Sequence, residues 1–253
     1  MARALGEDTA RVLPQPDEGW RQAVRAYHRD QFVAFAHGHG VPFDEYVNEA
    51  LTRLRMWAAT TRIRIRMDYD TVETFLIDGR YRTQFEIGSS GGAYTPARRT
   101  LVEHTAFGIP PGARPQDRPV YGYCKGSNES HPNVIKYGDV VLELRPDVTH
   151  RATFTFGDSL DDIAFFSPLP PFCPRPLSRP GTLALNAGRD VLAVGELWQA
   201  TNCGYIEAQV FGALTARDVA TVVYTLKLEP TEAMKEEMAN LGINWRTVSG
   251  DEP

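Results

Sequence analysis

Glu207 stands in the middle of an apolar run, Tyr205-Ile206-Glu207-Ala208-Gln209-Val210-Phe211-Gly212. On a strand, Ile206, Ala208 and Val210 take one face and Tyr205, Glu207 and Gln209 the other. A carboxylate half-buried without a partner is costly, so it is paired or its proton affinity shifts. The plain alternative is a solvent-facing glutamate on an edge strand. A second segment, Thr153-Phe154-Thr155-Phe156-Gly157-Asp158-Ser159, places Thr153 and Thr155 on one face of a strand. Two such hydroxyls can bond a neighbouring carboxylate or a ligand, although threonine is also simply a good strand former. A third, Gly79-Arg80-Tyr81-Arg82-Thr83-Gln84-Phe85, runs into Gly88-Ser89-Ser90-Gly91-Gly92. It joins guanidiniums, which grip anions through forked hydrogen bonds, to a loop where backbone can approach a ligand closely.

These segments need elements to hold them. Thr61-Arg62-Ile63-Arg64-Ile65-Arg66-Met67 alternates strictly and reads as a strand. Its three arginines share a face, as a solvated edge or as an anion-facing surface. A short helix over 70–77 leads to the turn Asp78-Gly79, after which 79–85 reads as strand-like. Thr95 and Pro96 open a helix that ends near Gly108. Short strands follow at 120–123, 140–146, 152–157, 191–197 and 205–212. The run from Leu214 to Val223 reads as a short helix, 225–230 as a strand, and Thr231 to about Asn240 as a last helix closed by Gly242. Residues 167–181 hold six prolines and form a long loop.

Helices come before and after the strands rather than between them, which predicts an α+β fold. Residues 1–60 read as a polar tail and a helical hairpin packed on the core, its stripes carried by Trp20, Tyr27 and Phe35 and by Tyr46, Leu54 and Trp57. Residues 61–253 read as the main domain, which carries the three segments.

The chain has 253 residues and a formal net charge of -5, so broad electrostatic capture of nucleic acid is not indicated. Its three cysteines form no CxxC pair, which argues against structural zinc and against a disulfide framework. His37 and His39 flank a glycine at a helix end, where capping or solvent exposure is the expected role, and no metal is expected. The N-terminus lacks the apolar core of a signal peptide and no long apolar run occurs, so a cytoplasmic chain without membrane contact is expected as synthesised. Leaderless export or delivery into another cell is compatible with that. Dinucleotide-fold, P-loop, HExxH and GxSxG motifs are absent.

Taken in order, the three segments resemble the arginine, Ser/Thr-strand and glutamate motifs of toxin-type ADP-ribosyltransferases. Residues from about 61 to 228 look more closely like a poorly characterised bacterial family of that superfamily, marked by GRYxxQF, by YGxxxLxLRPxVxxRxTFTxGDS and by a late YxExQxxG strand. The middle motif reads YGDVVLELRPDVTHRATFTFGDS over residues 137–159 here. The resemblance implies a core of two small, roughly perpendicular β-sheets with an N-terminal helical region. It implies NAD as co-substrate, no metal, and transfer of ADP-ribose to a macromolecular acceptor, protein or nucleic acid.

In that frame Glu207 is the catalytic glutamate, and Thr153 and Thr155 replace the Ser-Thr-Ser strand. Arg80 is the first choice for the pyrophosphate and Arg66 the second. Arg82, Gln84, Ser89 and Ser90 complete the NAD site, with Tyr81 or Phe85 stacking on nicotinamide or packing in the core. Tyr205 stands where many transferases carry Gln or Glu, so arginine is not implied as acceptor. An NAD glycohydrolase and a catalytically inactive transferase fold that binds a partner are the alternatives.

Overall fold

A computed structural model describes residues 61–88, 96–107, 109–124, 132–156, 159–160, 185–186, 190–191, 206–225 and 228–248, with isolated positions between 37 and 45. The expected helical hairpin, the proline-rich loop 167–181, and Ser89 and Ser90 lie outside the described residues. The class is α+β. Nine strands occur among the described residues: β1 Ile63–Met67, β2 Val120–Cys124, β3 Val140–Leu144, β4 Ala152–Phe156, β5 Leu185–Asn186, β6 Asp190–Val191, β7 Ile206–Val210, β8 Val219–Tyr224 and β9 Asn244–Thr247. The helices are α1 Tyr69–Asp78, α2 Gln84–Ile87, α3 Pro96–Phe107, α4 Pro132–Ile135 and α5 Glu232–Leu241.

Seven strands hydrogen-bond in the order β4-β7-β2-β1-β3-β8-β9, and β5 with β6 makes a separate ribbon. All neighbours in the large sheet are antiparallel except β8 and β9, which are parallel. Among the described residues the large sheet thus unites seven strands in one hydrogen-bonded order. Three expectations change. Residues 79–85 contribute one isolated bridge, Arg80 to Thr215, before the chain turns into α2. The run 214–223 is a short 3-10 turn at 216–218 followed by β8, not a helix. Its β-branched Val219, Thr221, Val222 and Val223 suit a pleated surface better than a helix. The strand expected at 225–230 therefore falls one segment earlier.

The core lies on one face of the sheet. Ile63, Ile65 and Met67 of β1 join Leu142 and Leu144 of β3, Ala208 and Val210 of β7, and Val222 and Tyr224 of β8. Helices α1 and α5 cover this face through Val72, Phe75, Leu76, Met234 and Met238. Each large apolar side chain buried this way stabilises by roughly 1.5–3 kcal/mol. Both helices end at a glycine in the left-handed conformation, Gly79 and Gly242, where other residues would be strained. Thr231 caps α5 by accepting the Met234 N–H. Period-2 alternation then sends Arg64, Arg66, Glu207 and Gln209 to the opposite face.

Candidate functional site

The opposite face carries the chemistry. Cross-strand pairing sets Thr155 of β4 opposite Glu207 of β7, Glu207 opposite Tyr123 of β2, and Tyr123 opposite Arg64 of β1. One step along, Thr153 is opposite Gln209, and Gln209 is opposite Tyr121. Thr153 and Thr155 thus stand on the strand next to the glutamate, in direct register with it. Neither β7 nor β1 is an edge, which removes the reading of Glu207 as an edge-strand residue and of the three arginines as a solvated edge.

Glu207 is only 2% exposed. Its Oε1 accepts a short hydrogen bond from the Ser159 hydroxyl and another from Gln209 Nε2 at 2.7 Å. Arg99, from the first turn of α3, brings Nη2 to 3.9 Å from Glu207 Oε2 and donates from Nη1 to Ser159 Oγ at 2.8 Å. The Arg99 guanidinium lies 4.0 Å from the centre of the Tyr121 ring, a cation–π stack. A buried carboxylate is affordable here because a cation and two donors surround it.

A second buried pair abuts the first. Tyr121 Oη donates to Glu103 Oε1 at 3.0 Å, and Arg118 Nη1 donates a short hydrogen bond to Glu103 Oε2. Glu103 lies one helical turn beyond Arg99 on α3 and is fully buried. Burial pushes its carboxyl above the usual glutamate range, against the opposing pull of Arg118, Tyr121 and Arg99. Arg118 stacks on Phe85 at 4.2 Å, so Phe85 supports this pair and is not among the cleft-lining residues.

Glu207 and Arg99 line a cleft of about 300 Å³. That is the lower end of the range for small-molecule sites. Its other charged lining residues are Arg66, Arg82, Lys136 and Asp68, so cations outnumber carboxylates around it. Tyr81, Tyr121, Tyr123 and Tyr137 supply aromatic wall, and Gln84 also lines it. Arg66 Nη1 donates to the Gly138 carbonyl at 3.1 Å, while its buried Nε and the buried Nε2 of Gln84 meet no acceptor. Buried donors left in this way cost about 1–3 kcal/mol each. Tyr81 packs edge-on to Phe75, and burial pushes its hydroxyl up to about 12, so it stays a neutral donor near pH 7.

Arg80 lies elsewhere. It pairs with Glu86 at 2.7 Å, is 42% exposed, and does not line the cleft, whereas Arg66 does. Arg82 reaches the cleft but pairs with Asp78 at 2.6 Å. Arg99, Glu103, Tyr121 and Ser159 were not singled out from sequence as site residues. Arg99 and Glu103 four apart on a helix are an ordinary surface pattern, and only the packing of α3 against β2 and β7 reveals them as buried. Among the described residues no group of His, Cys, Asp and Glu is arranged to hold a metal ion, and no helix is long and apolar enough to cross a membrane.

Residues 62–164 match a family described as "Protein of unknown function (DUF3626)". The matched stretch includes Arg66, Arg82, Arg99, Glu103, Tyr121 and Ser159 and stops before Glu207. The chain is 26% identical over 244 residues to the "Gene 2 protein" of Mycobacterium phage D29, covering 90% of both chains. It is 29% identical over 184 residues to the "Gene 2 protein" of Mycobacterium phage L5, covering 67% of this chain and 66% of that one. The matched span of the phage D29 protein, 90% of this chain, extends past the family match to include the Glu207 strand.

Proposed function

We propose that the protein is an NAD-dependent ADP-ribosyltransferase with an ADP-ribosyltransferase-like core, and that Glu207 faces the ribose of bound NAD. The observation that carries this reading is a buried carboxylate in a cation-lined cleft, on a strand in register with Thr153 and Thr155. In the reaction, the bond between ribose C1′ and the nicotinamide nitrogen breaks, and its electron pair leaves with nicotinamide. Positive charge builds on the ribose, an acceptor nucleophile bonds C1′, and the acceptor releases its proton. A preorganised carboxylate stabilises that oxocarbenium-like state, the same demand met in glycoside hydrolysis.

Ser159, Gln209 and Arg99 hold the Glu207 carboxylate in place, so little reorganisation accompanies the chemistry. Arg66, with its buried Nε directed at no protein acceptor, is the cation best suited to the diphosphate, and Gln84 and Lys136 add donors beside it. The neutral Tyr81 hydroxyl and the tyrosine walls suit an aromatic ring.

The test is NAD consumption by the wild-type chain and by Glu207→Gln, followed by incubation of labelled NAD with a cell lysate. A transferase consumes NAD and labels a macromolecule, and the Gln variant does neither at a comparable rate. Consumption without labelling identifies an NAD glycohydrolase. A second reading, an inactive binding module, draws on the near-complete burial of both Glu207 and Arg99. It predicts no NAD turnover by either form and equal partner binding by both.

A further inference from the structure

From the buried cluster behind the cleft, we infer that Tyr121 is a positioning residue, its ring clamped by Glu103 so that it holds the Arg99 guanidinium against Glu207. The inference rests on the proposed role of Glu207, and it adds a residue that the motifs do not contain.

The geometry is specific. Tyr121 lies on β2 in register with Gln209, so its ring stands one residue pair from Glu207 on the same face. Its hydroxyl is fixed by Glu103 at 3.0 Å, and Glu103 is in turn held by Arg118. The ring face meets Arg99 at 4.0 Å. One phenol is therefore constrained at its tip and along its plane, by two residues one turn apart on α3. An arginine side chain has several rotatable bonds, and stacking on a fixed ring removes most of that freedom before any ligand arrives. The fork can then keep one arm on Ser159 and the other toward Glu207 Oε2. Among the charged and polar groups around the carboxylate are Arg99 from α3, Gln209 from its own strand and Ser159, with Tyr123 opposite on β2 and Thr155 opposite on β4. Tyr121 is half-buried and itself lines the cleft, so its ring is the surface against which the guanidinium is set.

The clamp predicts a sharp contrast between two substitutions. Tyr121→Phe keeps the ring and loses only its hydroxyl, whereas Tyr121→Leu removes the π face. Tyr121→Met, flexible and without a π face, is the companion variant should the leucine form not fold.

Two readouts are needed. The first is side-chain nitrogen NMR of arginine-labelled protein, with the Arg99 signal assigned by its loss in Arg99→Lys. A clamped guanidinium rotates slowly about its Nε–Cζ bond and shows separate Nη signals, while a released one shows averaged signals. Slow rotation is expected in wild type, averaging in Tyr121→Leu or Tyr121→Met, and an intermediate rate in Tyr121→Phe, which keeps the ring but not its Glu103 anchor. The second is the split between kcat and KM for NAD. A fall of about tenfold to a hundredfold in kcat with KM within about twofold is expected for the Leu or Met form, as misplacing a preset group costs rate rather than ground-state binding. Tyr121→Phe, which keeps the ring face but loses the Glu103 anchor, should fall between wild type and the Leu or Met form in kcat.

Slow rotation that persists without the ring overturns the clamp, whatever the NAD assay gives. Averaged signals with an unchanged kcat also overturn it, because Arg99 would then be positioned for nothing. If wild type shows the clamp but consumes no NAD, the transferase reading fails while the ring's hold on Arg99 stands.

Discussion

Replacing Glu207 by Gln tests the central reasoning with the smallest change of shape. The substitution keeps one carbonyl oxygen to accept from Ser159 and Gln209, and removes the charge opposite Arg99. At the observed 3.9 Å the attraction is about 4 kcal/mol at an effective dielectric near 20. Most of that is offset by the desolvation of a carboxylate only 2% exposed. Arg99 also keeps Ser159 and the Tyr121 ring. The net loss of folding stability should therefore be about 1–3 kcal/mol, read from urea unfolding at pH 7. The rate loss is of another order. Removing one preorganised electrostatic group costs about 10²–10³ in kcat. A folded Gln variant that consumes NAD as fast as wild type refutes the role given to this carboxylate. A variant that unfolds outright shows that Glu207 serves stability first.

Other perturbations separate the cleft from its surroundings. Arg66→Ala should raise KM for NAD about tenfold or more, the value of one lost charge-assisted bond, while Arg80→Ala should leave it within about twofold because Arg80 does not line the cleft. Gly138→Ala should unfold the protein or shift its urea midpoint by more than ordinary overpacking, about 1–3 kcal/mol, since an added Cβ would lie 2.3 Å from the Met67 carbonyl carbon at φ +123°. Glu86 gives a pH test. Burial raises its pKa, but the Thr83 N–H and Arg80 together outweigh that and hold the carboxyl below the ordinary value. A carboxyl lowered on folding adds stability above its unfolded pKa, about 4.3, and that is lost as pH falls through the folded value. Glu86→Gln should thus be less stable than wild type at pH 7, with the difference closing below about pH 4 in urea melts followed against pH.

Much of the local structure was legible in the residues. The alternation of 61–67, the Thr95-Pro96 start, and the Thr231 cap with its closing Gly242 each act over a few residues, and β1, α3 and α5 lie where those signals put them. Where local signals compete, longer-range pairing decides the outcome. Residues 214–223 mix capping residues with β-branched ones, and pairing with β3 decided for a strand. Residues 79–85 look strand-like, yet Thr83 and Glu86 form a capping box that starts a helix instead.

The site divides in the same way. The sequence alone marked Glu207 as a carboxylate needing a partner, and the alternation of β7 sufficed for its face. It did not say which partner, because Arg99 is 108 residues away and looks like any arginine on a polar helix. Tertiary packing chose Arg99, Ser159 and Tyr121 as neighbours of Glu207 and turned Arg80 away to Glu86. The physical reason is range. Strand and helix signals are written into neighbouring side chains, whereas charge pairing in a low-dielectric interior is settled only when distant segments exclude water together.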